Sequence, residues 1–201
     1  MTQRHISILG ATGSVGTSTL DLIERQPERF KVVALTAARN VAALADAARR
    51  TNAELAVIDD TELLPELEQR LAGTNCLTRA GRDATIDAAA GSADWVMAAI
   101  VGCAGLEPVM AAVEAGRTVA LANKESLVTA GALMTEAAAR SGARILPVDS
   151  EHNAIFQCLA DNRSSDVSRL VLTASGGPFR TMSRDEMAAM TPEQAVAHPN
   201  W

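Results

Sequence analysis

Tyrosine is absent from this sequence, and with two tryptophans and three phenylalanines the aromatic fraction is 2%. That scarcity excludes a stacking platform for single-stranded nucleic acid, which needs rings spaced along a groove, and it means a core built from Ala, Val, Leu and Ile. Basic runs are also lacking. None is longer than Arg49-Arg50 and the net charge is −6, so a groove for a polyanion is excluded and no nucleic-acid partner is expected. The three cysteines, Cys76, Cys103 and Cys158, form no CxxC pair; this argues against a disulfide framework and a zinc knuckle, and buried free thiols are the expectation. Long hydrophobic runs are missing too. The longest mostly apolar uncharged stretch, Trp95 to Leu106, falls short of the ~18 residues of a membrane span, and Ile6 to Leu9 is too short for a secretory signal. A cytoplasmic location without a membrane partner is expected.

What is present is a soluble globular balance: 201 residues, 48% hydrophobic and 21% charged, enough for one large domain or one and a fraction. The organising stretch is Ile6-Ser7-Ile8-Leu9 followed by Gly10-Ala11-Thr12-Gly13-Ser14-Val15-Gly16. An apolar β-branched run stopped by glycines three apart reads as a buried strand turning tightly into a helix. Glycines at such a turn let the backbone approach a pyrophosphate closely, and the unpaired N–H groups of the following helix can then hold the charge. The spacing is GxxGxxG where the common dinucleotide fingerprint is GxGxxG, and a strand-turn-helix start without a ligand shares the same pattern.

The next strand, Phe30 to Leu35, ends in Thr36-Ala37-Ala38-Arg39-Asn40. NAD binders place an acid at this tip for the ribose 2′-hydroxyl. Here the acid is missing and Arg39 is present, which suits a 2′-phosphate and points to NADP(H); the alternative is an arginine in a solvated turn before the helix at Asn40. Strands at Ala53–Ile58, Trp95–Ile100, Thr118–Ala122 and Arg144–Val148 alternate with helices at Asn40–Arg50, Thr61–Leu71, Arg82–Ala90, Glu107–Ala115 and Lys124–Arg140. Strands alternating with helices specify an α/β fold with a doubly wound, Rossmann-type parallel sheet, here over residues 1–148 with six strands. Ligands bind beyond the carboxyl ends of such strands, and those ends are polar or glycine-rich. Glycines at Gly102 and Gly105 leave room for a flat ring against the backbone, Asn123-Lys124-Glu125 follow the fifth strand, and Asp149-Ser150-Glu151-His152-Asn153 follow the sixth.

Asp149 and Glu151 lie two apart, a spacing that turns both carboxylates to one side if the extended backbone persists. Hard oxygen donors suit Mg²⁺ or Mn²⁺. Equally, Asp149 or Ser150 can cap a helix over Asn153–Leu159, with Glu151 favoured by its dipole. Residues 149–201 read as the incomplete start of a second, α+β domain: a strand at Ser168–Thr173, an anion nest at Ser175-Gly176-Gly177, and capping boxes at Ser183–Glu186 and Thr191–Gln194.

The segments GATGSVGTSTLD, AAIVGCAGL, LANKESLV, LPVDSEHNAIFQ, TASGGPF and HPNW together resemble the 1-deoxy-D-xylulose 5-phosphate reductoisomerase family from end to end of the chain. The resemblance implies an NADPH- and Mg²⁺- or Mn²⁺-dependent enzyme of isoprenoid synthesis, usually a homodimer. It rearranges and reduces a sugar phosphate to 2-C-methyl-D-erythritol 4-phosphate. Thr12, Gly13, Ser14 and Val15 would hold the pyrophosphate; Ala37, Arg39 and Asn40 the adenosine end; Asn123 and Glu125 would touch cofactor. Lys124 would lie between nicotinamide and substrate, Asp149 and Glu151 would bind the metal, and Ser150, Ser175 and His198 the substrate, with Trp201 on a closing flap. In the family a third acidic metal ligand, further phosphate contacts and a C-terminal helical domain lie beyond this chain's last residue. A fragment able to bind NADPH but catalytically weak or dead is therefore expected. Two other classes share features with it: a semialdehyde dehydrogenase, for which Cys103 is the candidate nucleophile, and a non-catalytic NADPH-binding protein.

Overall fold

The computed structural model describes residues 3–160, 163–173 and 177–197, which fall into two compact units, Met1–Asp149 and Ser150–Trp201. In the first unit β1 (Arg4–Leu9) turns into α1 (Ser14–Glu24), followed by β2 (Phe30–Ala37), α2 (Val41–Thr51) and β3 (Leu55–Ile58). A 3-10 turn (Thr61–Leu63) runs into α3 (Leu64–Leu71), then come β4 (Leu77–Ala80), α4 (Arg82–Ala90) and β5 (Trp95–Ala98). A second 3-10 turn (Cys103–Gly105) opens α5 (Leu106–Glu114), and β6 (Thr118–Leu121), α6 (Lys124–Ser141) and β7 (Arg144–Pro147) complete the unit. The seven strands are parallel, in the order β4-β3-β2-β1-β5-β6-β7. Strand order therefore reverses at β1, and right-handed crossovers on either side of it must put helices on both faces.

The apolar sequence explains the layers. Ile8 and Leu9 are both essentially fully buried and belong to different cores, because successive strand side chains face opposite ways. Ile8 packs with Leu20 and Ile23 of α1, Leu44 of α2 and Leu67 of α3. Leu9 packs with Val109 and Val113 of α5 and Met134 of α6. Each such side chain contributes about 1.5–3 kcal/mol of burial. A strand wanted by both faces must be apolar throughout, which is how β1 reads.

The structure departs from the sequence expectation in several places. The sheet has a seventh strand, β4, beyond the six read from the sequence: it is a four-residue edge strand whose side chains alternate exposed and half-buried. Helix α1 starts at Ser14, where the sequence pattern places its start at Thr17 and its end at Arg25, and β2 runs on through Thr36 and Ala37, which stay buried. α6 bends at Ala130 (φ −136°, ψ 25°). Of the three thiols expected buried, Cys76 is half-buried and Cys103 and Cys158 are exposed; burial pushes the Cys76 thiol up from its ordinary value. Among the described residues no helix is long and apolar enough to cross a membrane.

The second unit opens with α7 (Ser150–Leu159) and continues through 3-10 turns at Ser164–Asp166 and Gly177–Phe179 to α8 (Arg184–Ala188) and α9 (Pro192–Ala195). The strand expected at Ser168–Thr173 is not formed. Leu170, Val171 and Leu172 are exposed, and no strand among the described residues pairs with them; without a partner an extended run has nowhere to place its backbone hydrogen bonds. Both capping boxes are present at Ser183/Glu186 and Thr191/Gln194. The Glu186 carboxylate accepts from the Ser183 backbone N–H at 2.7 Å and from its hydroxyl, which holds its pKa below the usual Glu value. A depressed carboxyl pKa means the box is intact above the ordinary Glu range and is lost as pH falls through the lowered value. NMR titration of Glu186 is expected to show that depression, and Ser183→Ala, which removes the hydroxyl but keeps the backbone N–H, to lessen it without abolishing it; an undepressed midpoint in the parent would contradict the assignment.

Candidate functional site

At the carboxyl edge of the sheet, where strand order reverses, a cleft of about 330 Å³ opens with Gly10, Thr12, Gly13, Thr36, Asp59 and Arg82 in its lining. The tip of β2 fixes its floor. Thr36 accepts from the Gly10 N–H through its hydroxyl oxygen at 3.0 Å and from the Ala11 N–H through its carbonyl at 2.8 Å. Gly10 has φ +80°, a conformation that side chains resist. Gly13 stands at the N-cap of α1 and has no side chain to cap it, and no acidic residue lies in the first turn. The first N–H groups of α1 therefore face the cleft rim with the positive end of the helix dipole, which is an anion site by construction. Ser14 and Val15 form that first turn.

Ala37 and Ala38 line the cleft, and Arg39 lies one residue beyond. Its guanidinium is largely exposed, with Nη1 2.9 Å from Asp60 Oδ2, while Asp60 also caps the 3-10 turn by accepting from the Glu62 N–H. Asn40 accepts from the Ala43 N–H at 3.1 Å and so caps α2.

Beyond the reversal, Lys124 and Glu125 occupy the first turn of α6, Lys124 exposed and Glu125 half-buried. Asn123 caps this helix and is buried, with its side chain engaged by Ser126 and by the carbonyls of Ile100 and Gly102. That leaves it no side-chain donor or acceptor for a ligand.

Asp149 is the last residue of the first unit, and Glu151 lies in the first turn of α7 at the start of the second. The extended alternation expected to turn both carboxylates to one side does not persist, because α7 begins at Ser150 where the sequence suggested Asn153. Asp149 thus precedes a helix and Glu151 sits where the helix dipole favours an anion. Among the described residues no group of three or more His, Cys, Asp or Glu side chains is poised around one point to hold a metal. Carboxylates are hard oxygen donors of the kind that suits Mg²⁺ or Mn²⁺. Ser175, His198 and Trp201 lie outside the described residues.

Asp59, Arg82 and Thr85 line the cleft without having been read from the sequence. Asp59 follows β3, and Arg82 and Thr85 belong to α4, which the crossover from edge strand β4 to β5 brings back over the sheet. No local motif marks residues that arrive by such a route.

The family model for 1-deoxy-D-xylulose 5-phosphate reductoisomerase matches residues 6–131, and the model for that enzyme's C-terminal domain matches residues 145–201. The chain is 60% identical over 198 residues to the reductoisomerase of Zymomonas mobilis, covering 98% of this chain and 51% of that protein. It is 57% identical to that of Rhodospirillum centenum, covering 98% and 49%. The Zymomonas mobilis reductoisomerase solved in complex with NADPH superposes with a TM-score of 0.89 at 58% identity, over 98% of this chain and 52% of that one. A reductoisomerase solved with NADPH, fosmidomycin and magnesium superposes with a TM-score of 0.82 at 39% identity, over 98% and 52%. The chain spans about half the length of the relatives it matches. A glycine cleft at the strand-order reversal, within a seven-strand parallel sheet and with both family models in sequence along it, assigns this chain to the 1-deoxy-D-xylulose 5-phosphate reductoisomerase family.

Proposed function

We propose that this chain provides the NADPH-binding domain, residues 1–148, and the start of the catalytic domain, residues 149–201, of an enzyme converting 1-deoxy-D-xylulose 5-phosphate to 2-C-methyl-D-erythritol 4-phosphate. The observation that carries the reading is the uncapped α1 N-terminus behind Gly10 and Gly13 at the strand-order reversal, in a chain whose Zymomonas mobilis relative was solved with NADPH. When bound, NADPH supplies hydride and a divalent cation supplies Lewis-acid polarisation of substrate oxygens.

The chain's own residues do the rest. The α1 N-terminus, with Thr12, Gly13, Ser14 and Val15, holds the pyrophosphate, while Ala37, Arg39 and Asn40 hold the adenosine end. Asp149 and Glu151 hold the cation and Ser150 a substrate hydroxyl. Lys124, exposed at the head of α6, places a positive charge where the substrate becomes electron-rich, with Glu125 beside it. Ser175 and His198 complete the phosphate side. Homodimer assembly belongs to the same reading and follows from the resemblance, and a cytoplasmic location accords with the short apolar runs of the sequence.

Fluorescence titration tests the binding half directly: saturable NADPH binding is expected from the 201-residue chain, and its absence would refute the reading. Asp149→Asn keeps a good helix-capping residue but removes the charge, so an approximately tenfold loss of Mn²⁺ affinity, measured by calorimetry, is expected without loss of the fold. Unchanged Mn²⁺ affinity would remove Asp149 from the metal site. The dehydrogenase alternative needs a histidine base for Cys103. Within the unit that carries Cys103 the one histidine of the sequence is His5, which stands near the start of β1, at the opposite end of the strand from the cleft; this does not favour that alternative.

A further inference from the structure

The loop after β5 is tied down from two sides. Asn123, buried at the head of α6, donates from Nδ2 to the carbonyls of Ile100 (2.5 Å) and Gly102 (2.8 Å). Its Oδ1 accepts from the Ser126 N–H at 2.8 Å and from the Ser126 hydroxyl. An asparagine has two amide protons and two oxygen lone pairs, so all of its capacity is spent. Opposite, Arg82 at the head of α4 donates from Nη1 to the Ala104 carbonyl at 2.6 Å and is itself braced on Glu107 Oε2 by Nε (2.8 Å) and Nη2 (2.7 Å). Three alternate carbonyls, of Ile100, Gly102 and Ala104, are thus gripped by side chains 21 to 23 residues away in sequence.

The same loop supplies Ile100, Val101 and Ala104 to the cleft wall. It follows β5, across the reversal from β2, where Arg39 lies. A dinucleotide laid over that crevice puts its adenosine on the β2 side and its other half on the β5 side. A loop whose carbonyls are already held costs little ordering entropy when the ligand arrives.

We infer that Asn123 is a positioning residue: with Arg82 it clamps the Ile100–Gly105 loop in the shape that receives the nicotinamide half of the cofactor, acting through the loop and without touching the cofactor through its side chain. The inference rests on the proposed occupation of the cleft by NADPH. It accounts for an asparagine at a helix cap where Asp or Ser serves as well, since neither of those supplies the two amide donors.

Asn123→Asp separates the two duties, because Asp keeps the acceptor for Ser126 but turns an oxygen toward two carbonyls. In the 201-residue chain this variant is expected to bind NADPH about tenfold more weakly, from the loss of two hydrogen bonds, while the affinity for 2′,5′-ADP, which carries only the adenosine half, stays within about twofold. Ser126→Ala leaves both loop ties and is expected to change neither affinity. Amide hydrogen exchange without ligand supplies an independent arm: exchange across Val101–Gly105 is expected to accelerate in Asn123→Asp while that of α5 does not. Arg82→Lys, with Asn123 intact, is expected to accelerate exchange at Ala104 and Gly105, and serves if Asn123→Asp does not fold. Equal weakening of NADPH and 2′,5′-ADP, or unchanged loop exchange in the folded variants, overturns the clamp. A parent chain that binds no NADPH refutes the proposed function, and loop exchange then decides the clamp by itself.

Discussion

Gly16→Ala is expected to destabilise the first unit by about 3 kcal/mol and to abolish NADPH binding. Gly16 lies in the first turn of α1, buried, with the backbone of the turn folded directly over it. A Cβ there would stand 2.7 Å from both the carbonyl carbon and the Cα of Ala11 and closer still to the Gly10 carbonyl oxygen. These are main-chain atoms, so no side-chain rotation relieves the clash, and the turn must move away from the helix. The same turn is fixed from the other side by Thr36 at the tip of β2, and a Cβ at Gly10 would lie 2.7 Å from the Ala99 carbonyl oxygen. The turn therefore has no free direction in which to retreat. For a unit of 149 residues the loss corresponds to a melting temperature roughly 6–12 °C lower. Gly13→Ala is the internal comparison: its Cβ would meet only the Gly10 carbonyl oxygen, at 3.4 Å, and near-parental melting is expected. A Gly16→Ala protein that melts within about 2 °C of its parent and binds NADPH equally well would show that close approach at this turn is not required.

That turn was legible in the sequence because its physics is local: an apolar run, a stop, and glycines at the points where helix and strand backbones touch. Element alternation was legible for the same reason, since the helices carry their own period and several carry their own cap, as Asn40, Asp60, Asn123, Ser183 and Thr191 show. Edge strand β4 was not legible. Leu77-Thr78-Arg79-Ala80 carries a polar and a cationic residue on a strand with one neighbour, the composition by which edges avoid further pairing, and it gives no strand pattern. The opposite error occurred at Leu170-Val171-Leu172, whose β-forming composition predicts a strand but finds no pairing partner among the described residues; composition reports a preference, and pairing decides. The candidate site divides along the same line. Gly10, Thr12 and Gly13 were found because they follow β1 and Ala37 because it ends β2, whereas Arg82 and Thr85 reach the cleft through tertiary packing, and Asp59, although it follows β3 directly, stands in no motif. At Asp149 and Glu151 the backbone was not legible, because nothing in the local sequence says whether the strand or the helix claims Ser150.

Arg39→Ala is expected to weaken NADPH binding by about 30- to 150-fold while leaving NADH affinity within about twofold. The two cofactors differ by the 2′-phosphate, and a charge-assisted contact between guanidinium and phosphate contributes about 2–3 kcal/mol. Arg39 stands just past the cleft-lining residues Ala37 and Ala38, where an NAD-specific chain would carry an acid. Its one described ion pair engages Nη1 with Asp60, leaving the Nε and Nη2 edge to meet a second anion in the forked geometry that phosphate prefers. The side chain is 77% exposed, so the pair with Asp60 contributes little to stability and its loss is expected to leave the melting temperature nearly unchanged. That separates this variant from Gly16→Ala, where binding and stability fall together. Salt supplies a further check, since an exposed phosphate contact weakens as ionic strength rises: the parent's preference for NADPH over NADH is expected to narrow with added salt, and the variant, having no preference left, to show no such narrowing. Equal NADPH and NADH affinities in the parent chain, or an Arg39→Ala protein that retains its preference for NADPH, would place 2′-phosphate recognition elsewhere on the rim.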